Sequence, residues 1–151
     1  MRNLSIEFEK RDRSRTYLYY DKAELEKGNF VIIGFFSIAV KSIYLKNFRK
    51  LQIPKGLITR LENLCNDDSY ATAYLIGQIG RDDTYTSAEL SGAQMLSDAV
   101  KLIQEVKNMI GGRLVILECK PIASLCRMYE SNGFIDITED DRDLKLYMKF
   151  I

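Results

Sequence analysis

Reactive side chains are few in this chain, and the missing ones narrow the chemistry most. There is no histidine among the 151 residues. That removes Ser-His-Asp and Cys-His catalysis, the usual zinc sites and the commonest general base. No metal site is expected. What remains is tyrosine, carboxylates, lysine, cysteine, ordered water or a borrowed group, which favours a reaction whose driving energy is already stored in the donor, such as a thioester. The three cysteines, Cys65, Cys119 and Cys126, form no CxxC pair and leave one over, so they are read as reduced thiols rather than a disulfide framework. Two places could hold chemistry. The first is the small, polar loop Asp82–Gly92, which precedes a helix start and so offers unpaired N–H groups and a positive dipole end to a pyrophosphate. The second is Tyr129-Glu-Ser-Asn-Gly-Phe134, whose phenol, with an ordinary pKa of about 10, is close enough to a thiol to protonate a departing thiolate. Each also has a purely structural reading. Thr86-x-x-Glu89 and Ser91-x-x-Gln94 are both capping-box patterns able to start a helix without a ligand. Tyr129 to Phe134 reads equally as a helix end with a core aromatic and a glycine cap. Glu118 and Glu130 are carboxylates near these places.

These residues need elements to hold them. The strongest helical pattern places Leu96, Ala99, Val100, Ile103, Val106 and Ile110 on one face, and Gly111-Gly112 ends it. Arg113–Cys119 is a short apolar strand, and Pro121 suits the first turn of a further helix running to about Ser131. Phe134–Ile137 and Leu144–Ile151 form an antiparallel pair around an acidic turn, with Leu144, Leu146, Met148 and Phe150 on one face. Upstream, Ser5–Glu9, Thr16–Tyr20 and Phe30–Val40 read as strands, Lys27-Gly28-Asn29 as a turn, and Leu57–Leu64 as a short helix. Ala71–Ile79 reads as a central strand, with Gly77 and Gly80 marking a bulge or a close backbone approach. The order predicts one α/β domain over residues 1–151, a mixed sheet with helices packed on it.

Composition agrees with a globular protein, at 46% hydrophobic and 28% charged residues. No apolar run approaches the ~20 residues of a membrane span, and no signal peptide is visible, so a cytoplasmic protein is expected. Net charge is only +1 but unevenly spread. Lys41, Lys46, Arg49, Lys50, Lys55 and Arg60 are unopposed by any acid between Val31 and Leu61. Such a stretch is either a solvated face or a surface for a polyanion.

Four runs carry a resemblance: Tyr74-Leu-Ile-Gly-Gln-Ile-Gly-Arg-Asp, Gly92-Ala-Gln-Met-Leu-Ser-Asp-Ala, Leu114-Val-Ile-Leu-Glu-Cys and Met128-Tyr-Glu-Ser-Asn-Gly-Phe. In order and spacing they resemble the GNAT superfamily of acyl-CoA N-acyltransferases over roughly the second half of the chain. The resemblance implies a mixed, mostly antiparallel sheet with helices on both faces and a splayed central cleft. It implies acetyl-CoA as donor and an amine as acceptor. The backbone of Ile79, Gly80 and Arg81 would pair with pantetheine. Backbone N–H groups from Ser87 through Leu90, Ser91, Gly92 and Ala93 would hold the pyrophosphate, and Tyr129 would protonate the thiolate. Glu118, or water ordered by Gln78 or Tyr74, would act as base. Against the family's loop pattern Arg/Gln-x-x-Gly-x-Gly/Ala, Gly92 fits the last glycine, while Leu90 and Ser87 depart from the other two positions. Ile122 stands where an asparagine is often found. A homodimer is the superfamily's habit. The run Val31-Ile-Ile-Gly-Phe-Phe-Ser-Ile-Ala-Val-Lys-Ser further resembles the branch of bacterial acetyltransferase toxins acting on aminoacyl-tRNA, to whose phosphates the basic 41–60 segment would be suited. A non-catalytic binding module on the same fold is the remaining alternative.

Overall fold

Leu114-Val-Ile-Leu117 does not alternate because it lies at the centre of the molecule, with both faces covered. Leu114 and Ile116 point to one side of the sheet, Val115 and Leu117 to the other. The rest of the fold is built around this strand. The computed structural model describes residues 7–45, 53–138 and 143–151. Its elements run β1 (Arg15–Tyr20), α1 (Lys22–Glu26), β2 (Ile32–Tyr44), α2 (Lys55–Glu62), β3 (Tyr70–Arg81), α3 (Gly92–Ile110), β4 (Leu114–Cys119), α4 (Ala123–Ser131), β5 (Ile135–Asp136) and β6 (Lys145–Phe150). The strands form one mixed sheet in the order β1-β2-β3-β4-β6-β5, in which only β3 and β4 are parallel. A parallel pair needs a crossover, and α3 supplies it.

Each face of the sheet has its own core. Under α3 and α4 lie Phe36, Tyr74, Ile76, Leu96, Ala99, Ile103, Val115, Leu117, Tyr129 and Tyr147. Under α2, on the other face, lie Ile43, Leu61, Ala71, Ala73, Ile116, Leu146 and Met148. The apolar face expected for α3 is buried at Leu96, Ala99, Val100 and Ile103, but Ile110 is 72% exposed because the helix runs past the sheet's cover. Gly111 and Gly112 end it with φ of +81° and +96°, a region open to glycine. A Cβ on Gly112 would stand 2.8 Å from the ring of Tyr74. The Tyr74 hydroxyl donates to the Gly111 carbonyl, locking β3 to the end of α3.

Several boundaries differ from expectation. Residues 7–10 are helical rather than extended, and Glu9 Oε2 accepts the N–H of Thr16 at 2.8 Å, fixing the start of β1. Ser5 and Ile6, the rest of that expected strand, lie outside the described residues. So do Lys46, Arg49 and Lys50 of the basic segment and Glu139, Asp140 and Asp141 of the acidic turn. β2 continues to Tyr44, so Lys41 lies within a strand, opposite Ala73. Helix α1 was not anticipated; Asp21 caps it, accepting from Ala23 and Glu24 at 2.8 and 3.1 Å. α4 begins at Ala123, after Pro121, with Ile122 as its uncapped N-cap.

Candidate active site

β3 and β4 separate in the middle of the sheet. Their pairing is Tyr74 with Val115, Leu75 with Ile116 and Ile76 with Leu117. Beyond that, β3 continues to Arg81 paired to β2, and β4 continues to Cys119 paired to β6. The register of β2 slips at Ser37/Ile38, since Ser37 opposes Gln78 while Ile38 opposes Ile76. Gly77 is therefore the extra residue of a bulge, at the point where the strands part. The expected bulge is present. Gly80 answers to packing instead, because a Cβ there would lie 2.8 Å from the Phe35 ring. The segment Gly77–Arg81, which includes the expected pantetheine-pairing residues Ile79, Gly80 and Arg81, forms the β3 wall of this cleft.

The loop from Asp82 to Ser91 crosses to α3 under several ties. Asp82 Oδ1 accepts from the N–H and hydroxyl of Thr84 at 2.9 and 2.6 Å. The Tyr85 hydroxyl donates to Asp21 Oδ2 at 3.1 Å. Glu89 Oε2 accepts from the N–H and hydroxyl of Thr86 at 2.7 and 2.9 Å. Thr86 does not open a helix, as its capping pattern allowed; with Glu89 it closes a turn. Ser91 is the N-cap, its hydroxyl oxygen accepting from Gln94 at 3.0 Å and its carbonyl from Met95 at 3.1 Å. The amides of Gly92 and Ala93 are then left without a partner among the described residues, the usual vacancy at a helix start. Leu90, which stands where the GNAT loop pattern has its middle glycine, turns its side chain inward, where it fills the space a Cβ on Gly34 would need. Its carbonyl accepts from Arg81 Nη1 at 2.7 Å. Gly92 sits against Met128 of α4, whose sulfur would be 2.9 Å from an added Cβ. Ser87 is exposed on the loop.

Tyr129 lies on α4, 7% exposed, on the same face of the sheet as α3. Its ring meets Phe134 edge-on at 6.2 Å and Tyr147 at 5.7 Å. Burial raises its pKa to about 12, and the neighbouring thiols of Cys119 and Cys126 add to the shift. The phenol is thus held protonated. Cys119 is itself raised to about 11, chiefly by burial, and is no nucleophile at neutral pH. The Tyr147 hydroxyl donates to Glu130 at 3.1 Å, which commits that carboxylate to a structural bond.

Glu118 is on the opposite face from Tyr129. Leu117 and Cys119 pack with the α3 core, so Glu118 between them points away from it, and its carboxylate lies 3.8 Å from Lys41. Gln78 shares that face, since its neighbour Ile79 packs on the α3 core. The Tyr74 hydroxyl, bound to Gly111, is at the far end of α3 and orders nothing at the cleft. Sequence reasoning assigned Arg81 only through its backbone; its long, charged side chain at a strand end beside the loop was the available signal. The packing of Leu90 had none.

A sheet parted beside a capped helix, with a buried tyrosine on the next helix, is the fold of GNAT acyltransferases, and comparison of whole structures shows that fold for this chain. AtaT complexed with acetyl-methionyl-tRNAfMet aligns with 97% of this chain and 75% of its own, at TM-score 0.69 and 12% identity. A tyrosine-to-phenylalanine mutant of KacT aligns with 94% of this chain and 75% of its own, at TM-score 0.67 and 11% identity. Arabidopsis thaliana NAA60 in complex with a bisubstrate analogue aligns with 92% of this chain and 77% of its own, at TM-score 0.60 and 15% identity. No protein-family model matches the sequence, and no curated protein matches it either. Among the described residues no helix is long and apolar enough to cross a membrane.

Proposed function

We propose that this protein is an acyl-CoA-dependent N-acetyltransferase that passes an acetyl group from acetyl-CoA directly to a primary amine. The observation that carries this reading is the parting of β3 from β4 beyond Ile76 and Leu117, beside the unpartnered amides that open α3. Acetyl-CoA is the acyl donor. Its pantetheine lies along Ile79, Gly80 and Arg81, and its pyrophosphate meets the loop Ser87–Ser91 and the amides of Gly92 and Ala93. The amine nitrogen attacks the thioester carbonyl carbon, and a backbone N–H near Ile79 steadies the oxyanion. As the C–S bond breaks, the Tyr129 phenol gives its proton to the leaving thiolate. The proton lost by the amine leaves through Glu118 or water on the opposite face. Solved neighbours of the same fold support the donor: one AtaT structure is bound to acetyl-CoA and the antitoxin AtaR's C-terminus, another structure is AtaTR with AcCoA.

Calorimetric titration with acetyl-CoA, followed by a thiol-release assay over an amine panel, tests the reading. Micromolar binding and release of one thiol per acetylated amine are expected. No binding at millimolar ligand would leave a non-catalytic module on this fold. An aminoacyl-tRNA acceptor is the second reading, supported by the AtaT complex with acetyl-methionyl-tRNAfMet and the basic 41–60 segment. In that segment Lys41 lies 3.8 Å from Glu118 and the Arg60 guanidinium stacks 4.0 Å from the Phe150 ring, so these two charges are already engaged. That reading predicts growth arrest on expression and salt-sensitive tRNA binding. A cytoplasmic homodimer with no membrane partner completes the proposal, and sedimentation tests the dimer.

A further inference from the structure

The loop that would hold the donor's pyrophosphate lacks a basic side chain where the GNAT pattern has Arg or Gln, because Ser87 stands there. A cation nevertheless reaches the same place from another element. Arg81 is the last residue of β3, and its Nη1 donates to the carbonyl of Leu90, the residue just before the N-cap Ser91. Its Nε is buried and has no hydrogen-bond partner. A guanidinium carries five N–H donors in a fixed fork, so this bond leaves most of them unused. Among the described residues no carboxylate forms a salt bridge with it. Asp82 is held by Thr84. Glu89 gives one oxygen to both the N–H and the hydroxyl of Thr86, so Arg81 acts on Glu89 only through space, as a lesser contribution to its lowered pKa after those bonds. A planar cation with unused donors and no salt bridge among the described residues, partly desolvated and set at the entrance of a helix with two unpartnered amides, suits a diphosphate ester, since Arg matches phosphate oxygens two at a time.

We propose that the Arg81 side chain is the pyrophosphate-binding cation of this protein, doing from the end of the strand what a loop residue does elsewhere in the fold. The assignment rests on acetyl-CoA being the donor. It makes Arg81 a specificity residue for the nucleotide half of the donor and leaves the acetyl-pantetheine half to the strand backbone. It also explains how Leu90 fits in: the side chain turns inward and so the carbonyl faces Arg81, fixing the guanidinium beside the helix.

The test measures dissociation constants of coenzyme A and of pantetheine, which lacks every phosphate, for the wild type, Arg81→Lys and Arg81→Met, with thermal melts as a folding check. Arg81→Met is expected to weaken coenzyme A about 10- to 100-fold, the range for one charge-assisted hydrogen-bond partner, and to leave pantetheine unchanged. Arg81→Lys should recover part of the loss, and the salt dependence of coenzyme A binding should be shallower in Arg81→Met than in the wild type. Equal weakening of both ligands would make Arg81 a loop brace only and overturn the assignment, as would unchanged coenzyme A binding in Arg81→Met. A wild type that binds neither ligand overturns the donor itself, and the Arg81 assignment falls with it.

Discussion

Tyr129 is suited to giving up a proton only while a base is forming beside it. Burial raises its pKa to about 12, with Cys119 and Cys126 contributing, so the phenol stays neutral across the working range. A free thiolate, whose thiol titrates at about 8.5, is a weaker base than this phenolate, so the proton passes as the C–S bond breaks and the tyrosinate then takes one back from water. Tyr129→Phe keeps the ring's contacts with Phe134 and Tyr147 and removes only the hydroxyl that carries the proton. Turnover should fall about 100- to 10,000-fold, the range for a lost general acid, while acetyl-CoA affinity stays within about twofold. Steady-state kinetics beside calorimetry check this; unchanged turnover removes Tyr129 from the chemistry. The sign of the pH effect follows from the same shift. The folded state holds this proton more tightly than the unfolded chain does, so the contribution to stability is full below the unfolded pKa of about 10. It is lost as pH rises through about 12. Turnover should accordingly show no alkaline loss from this group below about pH 10, and a fall near pH 8 would assign the acid to another residue.

Helix α3 would carry the donor end of the cleft under the proposed function, and its start is held by one hydroxyl. Ser91→Ala removes the acceptor for the Gln94 N–H and should cost about 1 kcal/mol in chemical denaturation. At its other end, Gly112→Ala meets both an unfavourable φ and the Tyr74 ring, and should cost more than Ser91→Ala does. How far the elements were legible follows the range of the forces that make them. The apolar spacing of α3, the Ser91 cap, the Gly111-Gly112 stop and the unbroken run of β4 are local signals, and the fold came through them. Helix α1 was readable too, since Asp21 is an N-cap residue with Glu24 three places on, but it is too short to show an apolar period. The continuation of β2 to Tyr44 depends on pairing with Tyr70–Thr72, far along the chain, which no local pattern encodes. At the candidate site, the placement of Gly92 at the start of α3 and of Tyr129 on α4 was legible because the resemblance fixed their order and spacing. That Leu90 packs under the loop and Arg81 reaches across it depends on Gly34 and Met95 from other elements, so neither could be read from the loop itself.

A sheet that opens in its middle can be entered from two sides, and this molecule furnishes the two sides differently. On one are α3, α4, the Gly92 and Ala93 amides and Tyr129. On the other are Gln78, Lys41 and Glu118, polar side chains beside a core that, among the described residues, is covered by the short helix α2. Polarity of this kind lets a large donor stay bound on one side while acceptors exchange on the other, provided the reacting atoms meet within the gap. Two bulky substitutions separate the sides. Gln78→Trp, on an exposed strand position, should raise the acceptor KM about tenfold or more and leave acetyl-CoA affinity within about twofold. Ala93→Trp, at the exposed start of α3, should do the reverse, weakening acetyl-CoA and sparing acceptor KM at saturating donor. Both positions are at the surface, where such changes usually cost little stability. If each variant harms both substrates alike, donor and acceptor enter from one side, and Glu118 is then too far from the attacking amine to take its proton.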